Sequence, residues 1–172
     1  SSFHDDLASL AKSAIGQESV QATPLTLALD VAAIANRGVI MTPHLLAKVT
    51  GSQGQTVQAY KPAKWLKATS AGTASKMTKL MLSVVNSPDG TGVEARVPGI
   101  QVAGKTGTAQ TGGPYIETWF VAFAPVPDPQ IALAVLVENQ PPADEYQGGT
   151  IAAPIARAII QAYLQDGGTS SS

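Results

Sequence analysis

Four segments of the chain carry apolar residues at the three- and four-residue spacing of a helix. The first has acidic residues at its start and Gly16 as its stop. The second has Thr23 as a cap and Pro24 in its first turn, which is where proline is tolerated. The predicted helices are residues 5–14, 24–36, about 73–87 and 151–164.

The third and fourth predicted helices each show one apolar line. A line at this spacing is typical of a face that packs on the core, and methionines within it fill irregular gaps. We expect these lines to be buried. They are Met77, Leu80, Met81, Val84 and Val85 in the third helix, and Ile151, Ile155, Ile159 and Ala162 in the fourth.

Strand-like patterns fill much of the remaining chain. Residues 100–110 alternate well enough for a strand, a turn follows at 112–114, and two more apolar runs come after it. The third run is apolar at almost every position, so it is expected to be buried on both faces. An earlier β-hairpin turns at residues 51–54. The predicted strands are 44–50, 56–60, 100–110, 117–124 and 130–138.

The predicted helix at residues 24–36 is apolar almost all round, and the predicted strand at residues 130–138 is apolar on both faces. Each of them needs cover on more than one side. Since the remaining elements look insufficient for this, we expect the chain to pack against a further segment. Without that segment it should expose an apolar patch larger than the few hundred Å² usual for a monomer, and it should tend to aggregate.

Composition narrows the class of protein. The chain has 172 residues, 44% hydrophobic and 13% charged, with a formal net charge of -1. These values indicate neither a disordered chain nor a nucleic-acid-binding protein. No cysteine is present, so disulfides and thiol catalysis are excluded. No apolar run reaches the length of a membrane span, and we expect any membrane anchor to lie outside this chain.

The strongest candidate for chemistry is the run Lys105, Thr106, Gly107 and Thr108. On a strand, Lys105 and Gly107 point to one face and the two threonines to the other, so a ligand touching all four must lie along the strand edge. An extended peptide can add there through backbone hydrogen bonds. Gly107 would allow its close approach, while the hydroxyls and the ammonium group would bind a carboxylate.

Other catalytic patterns are weaker. Ser9 and Lys12 match S-x-x-K, an arrangement in which lysine activates a serine nucleophile, but their predicted helix ends within a few residues and we interpret them as a solvated face. His4 and His44 have no neighbours at metal-ligand spacing, so we expect no metal and no cofactor. A glycosidase-type carboxylate pair has no support from spacing. Its possible members are Glu117, Glu138, Asp144 and Glu145.

Several boxes resemble the transpeptidase domain of class B penicillin-binding proteins, and are most similar to the actinobacterial penicillin-binding protein A group. The superfamily carries a K-T-G box beside S-x-x-K and Ser-x-Asn boxes. The resemblance extends over nearly the whole chain. The matching residues are 15–17, 23–25, 32–36, 102–109, 119–125, 148–149 and 152–155.

The resemblance implies an α+β fold, an antiparallel sheet flanked by helices, of the serine β-lactamase-like type. It implies that Lys105 acts electrostatically, that Thr106 and Thr108 bind the substrate carboxylate, and that the Thr108 N–H forms half of an oxyanion hole. It also implies peptidoglycan stem peptides and β-lactams as ligands, and a site on the extracytoplasmic face of the bacterial membrane. Glu117 departs from the family pattern, since relatives commonly carry histidine there.

The nucleophile is missing from this pattern. No Ser-x-Asn occurs in the chain, and Ser9 to Lys12 is the one S-x-x-K. We therefore expect residues 1–165 to be the C-terminal portion of a D,D-transpeptidase domain that an upstream segment completes, and 166–172 to be a disordered tail. Alone, the chain should be inactive. The alternatives are a β-lactamase or β-lactam-sensor domain and a non-catalytic peptide-binding module of the same fold.

Overall fold

The computed structural model describes residues 6–17, 20–110 and 112–166. His4 and residues 167–172 of the predicted tail lie outside these ranges. Asp166 was also placed in the disordered tail, and that is wrong, because it is the last residue of a helix.

The four predicted helices are present. Asp6 caps the first through the N–H groups of Ala8 and Ser9, and Thr23 and Ser70 cap the next two in the same way. Side-chain oxygens at these positions satisfy N–H groups that have no partner within the helix. Pro154 lies in the first turn of the last helix, where proline is tolerated. The helices are α1, Leu7–Ala14; α2, Pro24–Ala35; α3, Ala71–Asn86; and α4, Ala153–Asp166.

The strands form one three-stranded antiparallel sheet and two separate two-stranded ribbons. The sheet has the order β5-β6-β7, and the ribbons pair β1 with β4 and β2 with β3. The predicted sheet strands and hairpin are confirmed, but the strand predicted from residue 44 begins at Lys48 and the one predicted from residue 100 begins at Ala103, while β1 and β4 were missed. The strands are β1, Val39–Met41; β2, Lys48–Thr50; β3, Thr56–Ala59; β4, Lys64–Lys67; β5, Ala103–Gln110; β6, Ile116–Ala124; and β7, Ile131–Gln140.

The core lies on the two faces of the three-stranded sheet. On one face Phe120 is buried in a cluster that includes Ile160 of α4 and Val85 of α3. On the other face Phe123 packs with Val31 of α2 and Met81 of α3. The predicted fold class, an antiparallel sheet flanked by helices, is confirmed.

The buried face of α4 differs from the predicted one. Ala153, Ala156 and Ile160 are buried, whereas Ile155 and Ile159 are each 42% exposed. Small side chains let the helix backbone approach the sheet closely, so the alanines face inward and two of the isoleucines lie outside the contact. A π-helical turn, Gly148–Ala152, precedes α4 and starts it two residues later than predicted.

The methionine-containing line of α3 is only partly buried. Met81 and Val85 belong to the core, but Met77 and Leu80 are exposed. Ala74, which lies nearer the start of the helix, is the third buried residue of α3. The helix packs against β5 and α2, and this contact covers one narrow line of its surface.

The predicted burial of β7 on both faces is also wrong. Leu133 and Val135 are buried on the α4 side, while Ala132, Ala134 and Leu136 on the α2 side are half-buried. Helix α2 covers that face in part and leaves its own Leu25 61% exposed. The incomplete cover expected for α2 and β7 is therefore visible, and the size of the resulting apolar patch stays a prediction.

Candidate functional site

The run Lys105 to Thr108 lies in the middle of β5, at the edge of the sheet. Strand β6 pairs with β5 on one side, and within the described residues no strand pairs with its other side. Lys105 and Thr108 are exposed, and Thr106 and Gly107 are half-buried. The predicted open edge is thus present.

The pairing register places the four residues on the two faces that the alternation predicts. Residues directly opposite each other share a face of the sheet. Lys105 and Gly107 lie opposite Val121 and Trp119. Thr106 and Thr108 lie opposite Phe120 and Thr118, on the α4 side.

A turn that precedes β5 is hydrogen bonded to it. The hydroxyls of Thr91 and Thr106 are 2.9 Å apart. Thr91 belongs to the turn Asp89 to Gly92, which is anchored to α3 because the N–H of Gly92 donates to the carbonyl of Val84 at 2.9 Å. The contact between Thr91 and Thr106 joins residues 15 apart and has no local signal in the sequence.

Two side chains donate to the backbone of β5. The Lys105 ammonium donates to the Thr106 carbonyl at 2.6 Å, and the Gln17 amide donates to the Thr108 carbonyl at 3.1 Å. Thr106 and Thr108 are alternate residues, so their carbonyls point to the same side of the strand. Gln17 reaches that side from the connection between α1 and α2, and it brings the 15–17 box onto the candidate site.

Two glycines form the wall behind β5. A Cβ atom at Gly148 would collide with the backbone oxygens of Trp119 and Gly107, and one at Gly149 would collide with the Thr91 carbonyl. Only glycine leaves room for this contact, since a Cβ closer than 3 Å to backbone forces a shift. The π-helical turn before α4 therefore packs directly on the backbone of β5 and β6.

The structure gives Ser9 a local role. Its hydroxyl donates to the Asp6 carboxylate at 2.8 Å, and its N–H donates to the same side chain at 3.1 Å. These hydrogen bonds from Ser9 are the main reason that the pKa of Asp6 lies below its ordinary value of 3.8. The hydroxyl thus belongs to the cap of α1, as expected for a solvated face.

Of the carboxylate candidates, Glu117 lies on β6 and Glu138 on the neighbouring strand β7. His44 stacks on Tyr60 with ring centroids 3.2 Å apart. Within the ranges that the structure describes, no three acidic or histidine side chains are grouped as metal ligands. No helix among the described residues is long and apolar enough to cross a membrane.

The family is established by comparison. Residues 4–161 match the family described as the penicillin binding protein transpeptidase domain. This match covers most of the chain, so the chain belongs to the penicillin-binding protein transpeptidase family. The resemblance that the sequence boxes indicated is confirmed.

Named relatives agree with this assignment. Peptidoglycan D,D-transpeptidase PbpA of Mycolicibacterium smegmatis is 39% identical over 166 residues, which cover 94% of this chain and 33% of PbpA. Stage V sporulation protein D of Bacillus subtilis is 34% identical over 163 residues, covering 91% of this chain and 25% of that protein. The chain thus spans about a third of the length, or less, of these curated relatives.

Solved structures of penicillin-binding proteins also match most of this chain. The imipenem acyl-enzyme complex of penicillin-binding protein A from M. tuberculosis has a TM-score of 0.81 and 39% identity, covering 93% of this chain and 35% of that one. The D,D-transpeptidase domain of a peptidoglycan glycosyltransferase from Eggerthella lenta has a TM-score of 0.74 and 37% identity, covering 87% and 34%.

Proposed function

We propose that this chain is part of a peptidoglycan D,D-transpeptidase and supplies its substrate-binding strand. The complete enzyme would attack a stem peptide with a serine, form an acyl-serine, and transfer the acyl group to an amine of a neighbouring stem. β-Lactams would acylate the same serine. The observation that carries the proposal is the open edge of β5, with Lys105 to Thr108 at its centre.

Each residue of this edge has a proposed role. Lys105 would favour the substrate carboxylate and the developing charge, and Thr106 and Thr108 would donate hydrogen bonds to that carboxylate. The Thr108 N–H would serve as one donor of an oxyanion hole. The hydrogen bond between Thr91 and Thr106 supports this proposal, because it holds a hydroxyl of the edge in place before substrate arrives.

The nucleophile and its base are proposed to come from a segment that precedes Ser1. Two observations support this. The one S-x-x-K serine, Ser9, is hydrogen bonded into the cap of α1, and the chain matches about a third of PbpA. We propose that the same segment covers β7 and the part of α2 beyond its first turn, and that the whole enzyme acts at the extracytoplasmic face of a bacterial membrane through an anchor outside this chain.

Labelling with a fluorescent penicillin tests the proposal. The intact protein should be labelled on a serine upstream of Ser1, and this 172-residue chain alone should not be labelled. Stoichiometric labelling of the chain alone at Ser9 would contradict the assignment and would make Lys12 the candidate base.

Two alternatives are distinguished by the same reagent. A non-catalytic peptide-binding module would leave the intact protein unlabelled while still binding stem peptide. A β-lactamase or sensor domain would be acylated but would not cross-link stem peptides, so the products of incubation with a donor and an acceptor stem separate it from the transpeptidase.

A further inference from the structure

Positive charge is concentrated in one part of the chain. Residues 31–88 contain seven of its 11 basic residues and none of its 12 acidic ones. All seven are exposed, and among the described residues none is within 4.0 Å of a carboxylate oxygen. This part therefore carries positive charge that its own fold does not neutralise. The seven are Arg37, Lys48, Lys61, Lys64, Lys67, Lys76 and Lys79.

Large apolar side chains are exposed among these charges. Every residue of β2, β3 and β4 is exposed. Leu45 is fully exposed, Val57 is 66% exposed and Trp65 is 58% exposed. A single exposed apolar side chain needs no explanation, but several within two adjacent ribbons indicate a surface that a partner covers.

A groove gives this surface its shape. It lies between the start of α2 and the β2–β3 ribbon, and its volume is about 630 Å³. Leu25, Leu45, Leu46, Lys48 and Tyr60 are among the residues that line it. Stacking of His44 on Tyr60 and the hydrogen bond from the Tyr60 hydroxyl to the Thr42 carbonyl, at 2.8 Å, hold one wall in place.

We propose that this basic groove binds an acidic amphipathic segment of a partner protein. Leucine-like side chains of the segment would fill the groove, and its carboxylates would face Lys48 and the nearby Lys61. The concave shape favours a protein segment over a flat lipid surface, because a groove contacts the apolar side chains of a bound segment on more than one side. None of the groove residues belongs to β5, so this surface is separate from the proposed transpeptidase site.

The test measures binding of a designed probe to the intact protein by fluorescence anisotropy. The probe is a labelled peptide about four helical turns long, with leucines along one face and glutamates elsewhere. It should bind the parent, and more weakly as salt is added. The double variants Leu45→Ser with Leu46→Ser and Lys48→Glu with Lys61→Glu should each weaken binding about tenfold or more.

The matched control is Lys76→Glu with Lys79→Glu. It makes the same change of charge on α3, which packs against β5 and α2 rather than the ribbons. The affinity of this variant for the glutamate peptide should stay within about twofold of the parent's. Thermal melts check that each variant is folded, and Lys48→Glu alone replaces any double variant that is not. The substituted side chains at 45, 46, 48 and 61 are exposed, so parent-like melts are expected.

Three results would overturn the proposal. One is no binding of the glutamate peptide by the parent at about millimolar concentration. Another is equal binding of a peptide in which lysine replaces every glutamate. The third concerns phosphatidylglycerol vesicles and polyphosphate. If either binds the parent more tightly than the peptide does, and binds the leucine variant as well as the parent, the surface is a purely electrostatic one for anions.

Discussion

The three-stranded sheet and the two ribbons have the same antiparallel pairing but very different burial. Phe120 and Phe123 of the sheet are at most 1% exposed, whereas β2, β3 and β4 are exposed along their whole length. The sheet lies between helices, and a two-stranded ribbon has little stability by itself. The comparison teaches that the sheet is the buried support of the candidate site, while β2, β3 and β4 form an exposed surface.

The largest expected effect contrasts the two regions directly. Phe120→Ala should destabilise the domain by about 3–5 kcal/mol, because it leaves a cavity in the core. Trp65→Ala on β4 should change stability by no more than about 0.5 kcal/mol. Urea unfolding measures both. Equal losses would mean that the ribbons are part of the cooperative core.

The next prediction is that Lys105 contributes to acylation but not to stability. In the intact protein, Lys105→Ala should slow acylation by a fluorescent penicillin about 100- to 1000-fold, because a preorganised charge is lost. Its thermal midpoint should hardly change, since Lys105 is exposed. Lys79→Ala, an exposed lysine on α3, is the control. An unchanged acylation rate would remove Lys105 from the site.

A smaller effect is expected at the wall behind β5. Gly148→Ala should destabilise by about 1–3 kcal/mol, because its Cβ would collide with the backbone of Gly107 and Trp119. It should also slow acylation by displacing the strand. Gly72→Ala is the matched control, since its Cβ would be 3.8 Å from the nearest atom and alanine favours the helix. Similar thermal midpoints for the two variants would show that the π-helical turn can shift to make room for the added Cβ atom.

Removal of one hydrogen bond at the edge should have a modest effect. Gln17 donates to the Thr108 carbonyl, which an added peptide strand would also use as an acceptor. One such bond contributes about 0.5–1.5 kcal/mol, so Gln17→Ala should raise the rate of acylation by penicillin about two- to tenfold. Gln21→Ala serves as the control. A slower reaction would mean that Gln17 helps to hold the strand in its active position.

The smallest effect concerns the cap of α1. The pKa of Asp6 is lowered by its hydrogen bonds from Ser9, so the carboxylate stabilises the helix above the ordinary pKa and this contribution is lost as pH falls through the lowered value. Amide exchange at Ser9 should therefore speed up, relative to its intrinsic rate, below about pH 4. Asp6→Asn keeps a capping oxygen and should remove the pH dependence. Exchange that follows pH equally in both proteins would exclude the carboxylate as the cause.

Local signals were enough for most elements. Thr23 with Pro24 marks the start of α2, and the alternating run before Gln110 marks β5, because caps and alternation depend on neighbours in sequence. Strands β1 and β4 were missed because they are three and four residues long and pair across a long connection. Such pairs show no periodicity to detect.

The candidate site was predictable in its residues but not in its contacts. Lys105 to Thr108 stood out as a motif, and their exposure on an edge was expected. The contacts of Thr91 with Thr106 and of Gln17 with Thr108 span 15 and 91 residues, and no local pattern encodes them. The buried face of α4 was missed for a related reason, since its apolar residues form more than one line at helical spacing and only the packing on the sheet selects the line of Ala153, Ala156 and Ile160.

The glycine at position 148 has a consequence for how this protein can change under selection. Every other amino acid adds an atom where the backbones of two strands already lie, so a substitution at this position must displace one of them. The front of the edge and the segments that approach it, such as the one that carries Gln17, have no such restriction. The sequence space open to the candidate site is therefore narrower than its exposed surface suggests.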